Sequence, residues 1–115
     1  MATTYQVLGQ VALTSVTDTA LYNVANTTGA AAVVSTLSVC NQSAVDMTFR
    51  VRVAVANAAV VDKQYLFYDN VVYAKSTLAL TLGMTLGQND YVYVYSATAT
   101  ASNKLAFNLF GSVLS

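Results

Sequence analysis

The sequence predicts an all-β domain, an antiparallel β-sandwich of about eight strands. Three observations predict it. Apolar and polar residues alternate with period two through much of the chain. Clusters of Gly, Asn, Asp and Ser punctuate the alternating runs at spacings of about 10–14 residues. No segment carries the convincing amphipathic helix pattern that the crossovers of a parallel α/β fold would need.

The strands are expected at residues 5–13, 19–25, 31–41, 47–56, 64–73, 76–82, 90–98 and 104–113. The first is closed by the turn signal at Asp18 and Thr19, the second by the one running from Asn26 to Gly29. The third, 31–41, ends at a turn signal from Asn41 to Asp46. In the fourth, Phe49, Val51 and Val53 alternate with Thr48, Arg50, Arg52 and Ala54, so each set marks one face of a sheet. Residues 53–61 are rich in Ala, a helix former, but their Val content and the preceding alternation favour strand followed by loop. The fifth strand carries Tyr65, Tyr68 and Tyr73, with a turn signal at Asp69 and Asn70. In the sixth, Leu78, Leu80 and Leu82 share a face, and a turn is expected from Gly83 to Asp90. Tyr91, Tyr93 and Tyr95 form a stripe on the seventh. Leu105, Phe107 and Leu109 do so on the eighth, after a turn at 101–103.

Composition narrows the function further. The 115 residues contain no His, Glu, Pro or Trp, and only 9% are charged, against a typical value of about 25%. Without His or Glu there is no ready general base near neutral pH, so an enzyme is not expected. Zinc is excluded by the ligand set, since there is no His and only one Cys. The five carboxylates, Asp18, Asp46, Asp62, Asp69 and Asp90, sit at or near expected turns, where Asp ordinarily bonds to the backbone. They form no D-x-D-x-D run for calcium and show no spacing that demands a catalytic pair. No cofactor and no metal is therefore expected. The formal net charge of zero gives no field to steer nucleic acid. No run reaches the ~18 apolar residues of a membrane-spanning helix, and the N-terminus lacks the pattern of a secretory signal, so no membrane partner is expected.

One domain over 1–115 is expected, with residues 1–4 as a possible flexible N-terminal arm. The hydrophobic fraction of 56% is more than so small a domain readily hides, so part of it is expected to face another subunit. Scarce Lys and absent Pro and Glu leave few residues to blunt edge strands, which points the same way. Cys40, in the apolar run VVSTLSVC, is expected to pack as a small hydrophobe. Arg50 and Arg52 form a local positive feature on one strand face, and Arg suits interfaces because its fork binds carboxylates bidentately. The tyrosines admit three readings: cross-strand packing, a subunit interface or a sugar-stacking platform.

Several strings taken in order resemble a family. They are YQVLGQ at 5–10, LYNV at 21–24, VVSTLSVCNQSA at 33–44, TFRVRVA at 48–54, YLFYDN at 65–70, LALTLGMTL at 78–86, NDYVYVYSATAT at 89–100 and FNLFG at 107–111. Together they are similar to small β-structured virion proteins of tailed bacteriophages, cyanophages among them. The resemblance covers nearly the whole chain. It departs at Ala25-Asn26, where relatives tend to carry Pro.

The resemblance implies a virion component without catalysis. The fold expected is a jelly-roll-like sandwich. The function expected is a capsid decoration (cement) protein, with a tail, baseplate or fibre-associated role as one alternative and a carbohydrate- or receptor-binding module as another. The partners implied are the major capsid protein or other virion proteins and further copies of the chain, a trimer being favoured, with a location in the virion. The contact residues expected are Arg50, Arg52, Tyr65, Tyr68, Tyr73 and the turn at Asp69 and Asn70.

Overall fold

A computed structural model describes residues 3–114. The alternating runs form eight strands: β1 (Thr3–Leu13), β2 (Thr19–Asn23), β3 (Ala31–Asn41), β4 (Met47–Ala54), β5 (Tyr65–Val72), β6 (Thr77–Leu86), β7 (Tyr91–Tyr95) and β8 (Leu105–Leu114). They make two antiparallel four-stranded sheets. The long sheet has the order β1-β8-β3-β6 and the short sheet the order β2-β7-β4-β5. Of the consecutive strands, only β4 and β5 pair directly; every other connection passes between sheets or across one. This is the strand order of an eight-stranded jelly roll.

The period-two pattern explains why the sheets stack. Along β4, Met47, Phe49 and Val51 are buried; along β8, Leu105, Phe107 and Leu109 are buried. These side chains meet in the gap between sheets, where Phe49 of the short sheet contacts Phe107 of the long sheet edge-on, with ring centroids 6.2 Å apart. Leu37 and Val39 from β3 and Val92 and Val94 from β7 complete the centre of the layer.

One polar group is set into this layer. Asn41 is buried, donates to the carbonyls of Val45 and Val72, and accepts from the backbone N–H and hydroxyl of Ser43. All four of its hydrogen-bonding positions are used, so its burial leaves nothing unpaired. The bonds tie the end of β3 to the end of β5, one strand from each sheet.

Three expectations need correction. β6 does not stop at Leu82: it runs to Leu86 through Gly83, which adopts a left-handed φ of 59° where the pairing with β3 shifts register. A bulge absorbs the glycine that reads as a turn in sequence. Asp69 and Asn70 likewise form no turn; they lie inside β5, with Asp69 left-handed at φ 54° beside a register shift. Thr3 and Thr4 are part of β1, paired with Leu114 and Val113, so the arm expected at 1–4 does not include them; Met1 and Ala2 lie outside the described residues. Cys40 is half-buried on the outer face of the long sheet, opposite Ala106.

Gly9 and Gly83 are glycines for different reasons. A Cβ on Gly9 would stand 2.1 Å from the Leu21 carbonyl oxygen, because β1 lies directly against the backbone of β2. A Cβ on Gly83 would meet nothing within 4 Å, and only its φ is unfavourable. Gly83→Ala should therefore cost about 1 kcal/mol, the left-handed penalty. Gly9→Ala should cost more, because backbone must move. Urea unfolding of the two variants measures the difference, and equal losses would refute the close-approach account.

Candidate functional site

Because Phe49 and Val51 point inward, Arg50 and Arg52 point outward, and the register of the short sheet decides what they meet. Arg50 stands opposite Tyr95, Arg52 opposite Tyr93 and Ala54 opposite Tyr91. On the other flank, Tyr65 stands opposite Arg52. The outer face of the short sheet is thus a row of guanidinium groups between rows of tyrosines.

Arg50 lies between two rings, 4.0 Å from the centroid of Tyr68 and 4.9 Å from that of Tyr95. Its Nε and Nη2 donate to the two carboxylate oxygens of Asp69 at 2.7 and 3.1 Å, the bidentate fork geometry. The left-handed bulge at Asp69 sets this carboxylate against β4. The guanidinium, through the hydrogen bond first, holds the Asp69 carboxyl below the usual carboxylate range, and the carboxylate pushes the Arg50 guanidinium further up. Tyr65 packs edge-on against Tyr68 with centroids 5.0 Å apart.

Arg52 is only 5% exposed. Its Nε and Nη2 donate to the Asp18 carboxylate in the β1–β2 connection, and its Nη1 donates to Gln64 Oε1 at 2.8 Å. The guanidinium also covers the Tyr93 ring at 4.0 Å. Gln64 in turn donates to the Ala59 carbonyl, Tyr93 donates its hydroxyl proton to Asn57 Oδ1, and the Ala56 N–H donates to Asp90. Through these bonds Arg52 and its neighbours fix the β4–β5 connection, residues 55–64, against the sheet. Ala56 and Asn57 are both left-handed, with φ of 53° and 56°. For Ala that is a strained conformation, held by the surrounding contacts.

What this fixed connection presents is apolar: Val55, Val60 and Val61 are exposed. The edge strand β5 continues the surface with exposed Leu66, Tyr68 and Val71, and Tyr73 follows just past its end. Seven of the 13 exposed large hydrophobic side chains among the described residues lie on this stretch.

The structure therefore brings Arg50, Arg52, Tyr65, Tyr68 and Asp69 together. Asn70 is exposed, opposite Phe49 in the register, and Tyr73 lies just past β5, where its carbonyl accepts the Ser76 N–H. Neither takes part in the ring and guanidinium stack. The arginines are occupied within the chain rather than free to meet a partner's charges. Asp18, Asn57 and Gln64 belong to the site as well, and no spacing in the sequence marks them. The valines of residues 55–61 were visible as an apolar loop, and that was their signal.

Among the described residues, no group of three or more Cys, His, Asp or Glu could hold a metal ion, and no helix is long and apolar enough to cross a membrane. No family model and no curated protein matches the chain. Among solved structures, it is similar to a chain in the structure of infectious bursal disease virus Gx strain, with a TM-score of 0.48 and 7% identity. The alignment covers 97% of this chain and 30% of that one. A likeness that slight says nothing of function.

The two arginines should behave differently. Arg50→Ala removes a pair that is partly open to solvent and should cost no more than about 1 kcal/mol. Arg52→Ala leaves Asp18 and Gln64 without their partner and should cost about 2 kcal/mol, as well as speeding amide exchange through 55–64. The Arg50–Asp69 contribution is present above the ordinary Asp value of about 3.9 and fades as pH falls through the lowered value in the folded chain. Asp69→Asn should flatten that part of the acid limb, and unfolding curves recorded against pH will show it.

Proposed function

We propose that this chain is a non-enzymatic structural protein of a tailed-phage particle: a capsid decoration protein that binds the major capsid protein and stabilises the assembled shell. The observation that carries this reading is the rigid apolar ridge of β5 and the 55–64 connection. Exposed apolar side chains concentrated on one edge, on backbone fixed by buried hydrogen bonds, suit a surface that docks without reorganising. Tyr68 has the character of an interface anchor, with a large ring held in place by Arg50 and Tyr65. The ordered family resemblance over nearly the whole chain supports the virion setting. The jelly-roll order is compatible with it, being found in viral capsid domains, though also in lectins. Four of the five carboxylates are engaged within the chain, Asp18 and Asp69 with arginines and Asp46 and Asp90 with backbone N–H groups, which supports a non-catalytic role.

The mechanism is additive. Each copy buries Leu66, Tyr68, Val71 and the exposed valines against capsid protein, and many copies on one shell make modest contacts sufficient. A second reading, glycan binding, has one observation in its favour: the Tyr91 and Tyr93 rings lie nearly parallel, 15° apart, on the outer face.

The test is co-sedimentation of the purified chain with shells of the phage that encodes it. Binding, together with a higher temperature of shell disruption, is expected. Leu66→Ala with Tyr68→Ala should weaken binding at least about tenfold, near 1.4 kcal/mol. Recovery of the native protein with tails rather than shells after particle fractionation would place it in the baseplate or fibre instead. Glycan-array binding abolished by Tyr91→Ala would favour the module reading.

A further inference from the structure

The charged side chains of the described chain are segregated. Strands β1, β3, β6 and β8, which are 11, 11, 10 and 10 residues long, contain none. Arg50, Arg52 and Asp69 lie in the short sheet, and the remaining charged side chains lie in the connections. The inner face of the long sheet forms half the core, but no other element among the described residues covers its outer face.

That outer face has two unlike halves. At one end stand Tyr5, Val7, Val33 and Phe110, exposed by 85%, 47%, 39% and 37%. They are neighbours: Val7 pairs with Phe110, and both Tyr5 and Val33 pair with Ser112. At the other end the face is flat and small, with Ala12 beside Ala106, Ala106 beside Cys40, and Ser38 beside Ala79.

We propose that this face is a homodimer interface. Two copies pack their long sheets together across a two-fold axis, strands head to tail. The aromatic end of each then seats on the small-residue end of the other. A two-fold contact sets a patch against itself, so any charge in it would face its own kind or a mismatched neighbour, and this face carries none. The size suffices. Four strands spaced ~4.8 Å apart and ten residues long at ~3.4 Å each present about 600 Å² per copy. That is about 1,200 Å² for the pair, the lower bound of specific interfaces. The dimer proposed here stands in place of the trimer that the resemblance implies. The proposal rests on the fold and the charge pattern, independently of what β5 binds.

Cys40, in the small-residue half, is a built-in reporter, since a partner would cover it. Light scattering behind size exclusion and iodoacetamide alkylation of Cys40, each across a concentration series of the full chain, test the proposal. Expected are a dimer mass, slowed alkylation in the concentration range where the dimer forms, a halved mass for Ala79→Arg, and an unchanged dimer for Val71→Arg. Val71 lies on the shell-binding edge, so Val71→Arg losing shells while staying dimeric keeps the two proposals separately falsifiable. A monomer at every concentration, a trimer, a dimer that survives Ala79→Arg, or Cys40 alkylated equally fast in the dimer would each overturn the inference. If Ala79→Arg loses its strand signal in circular dichroism, the wild-type alkylation series alone decides.

Discussion

The apolar layer between the sheets is the constraint from which the other surfaces follow. Phe49 sits at its centre, touching Phe67 within its own sheet and Phe107 across the gap. Strand side chains alternate strictly, so committing Phe49 and Val51 to that layer commits Arg50 and Arg52 to the opposite face. The same parity in β7 buries Val92 and Val94 and turns Tyr91, Tyr93 and Tyr95 outward. The guanidinium and tyrosine rows are thus a by-product of core formation. What is specific to this chain is the register that sets them opposite one another, and the loop carboxylates that hold the cations in place.

The two sheets solve the problem of an open outer face differently. The short sheet covers its outer face with its own material: long side chains stacked on one another and a connection folded back over Arg52. The long sheet leaves its outer face flat, uncharged and partly aromatic. A molecule with both faces finished in the first manner would have no reason to associate. One with both finished in the second would associate without discrimination.

How far the sequence could be read depended on whether its alternation was interrupted. β3 is read at 31–41 and observed at the same bounds, because turn residues stand at both ends. β6 was cut short because a glycine that ends a strand and a glycine that bends one look alike in sequence; only the neighbouring register distinguishes them. Asp69 reads as a turn for the same reason. For Cys40 the apolar run gave no face. Parity with Leu37 and Val39 puts it outside, although the register shift between Val34 and Thr36 breaks that count further up the strand. The partners of Arg52 lie 34 residues before it and 12 after it, in two connections, and no local pattern records such a meeting. Strand faces were legible, whereas bulges and the contacts between connections were not.

The position of β8 has a consequence for how the molecule comes into being. It is the last strand in the chain, yet it lies inside the long sheet, between β1 and β3. Until it is synthesised, β1 has no hydrogen-bonded neighbour and β3 lacks one of its two. The fold is dominated by pairings distant in sequence, a class that assembles slowly. On the ribosome the chain must therefore wait, with uncharged strands exposed, for β8 to emerge before the sandwich can close. A product truncated ahead of residue 105 would have neither a complete sheet nor a closed core, and would be left to chaperones and proteases. Only copies that include β8 can close the sandwich, so the topology itself discriminates against early truncation.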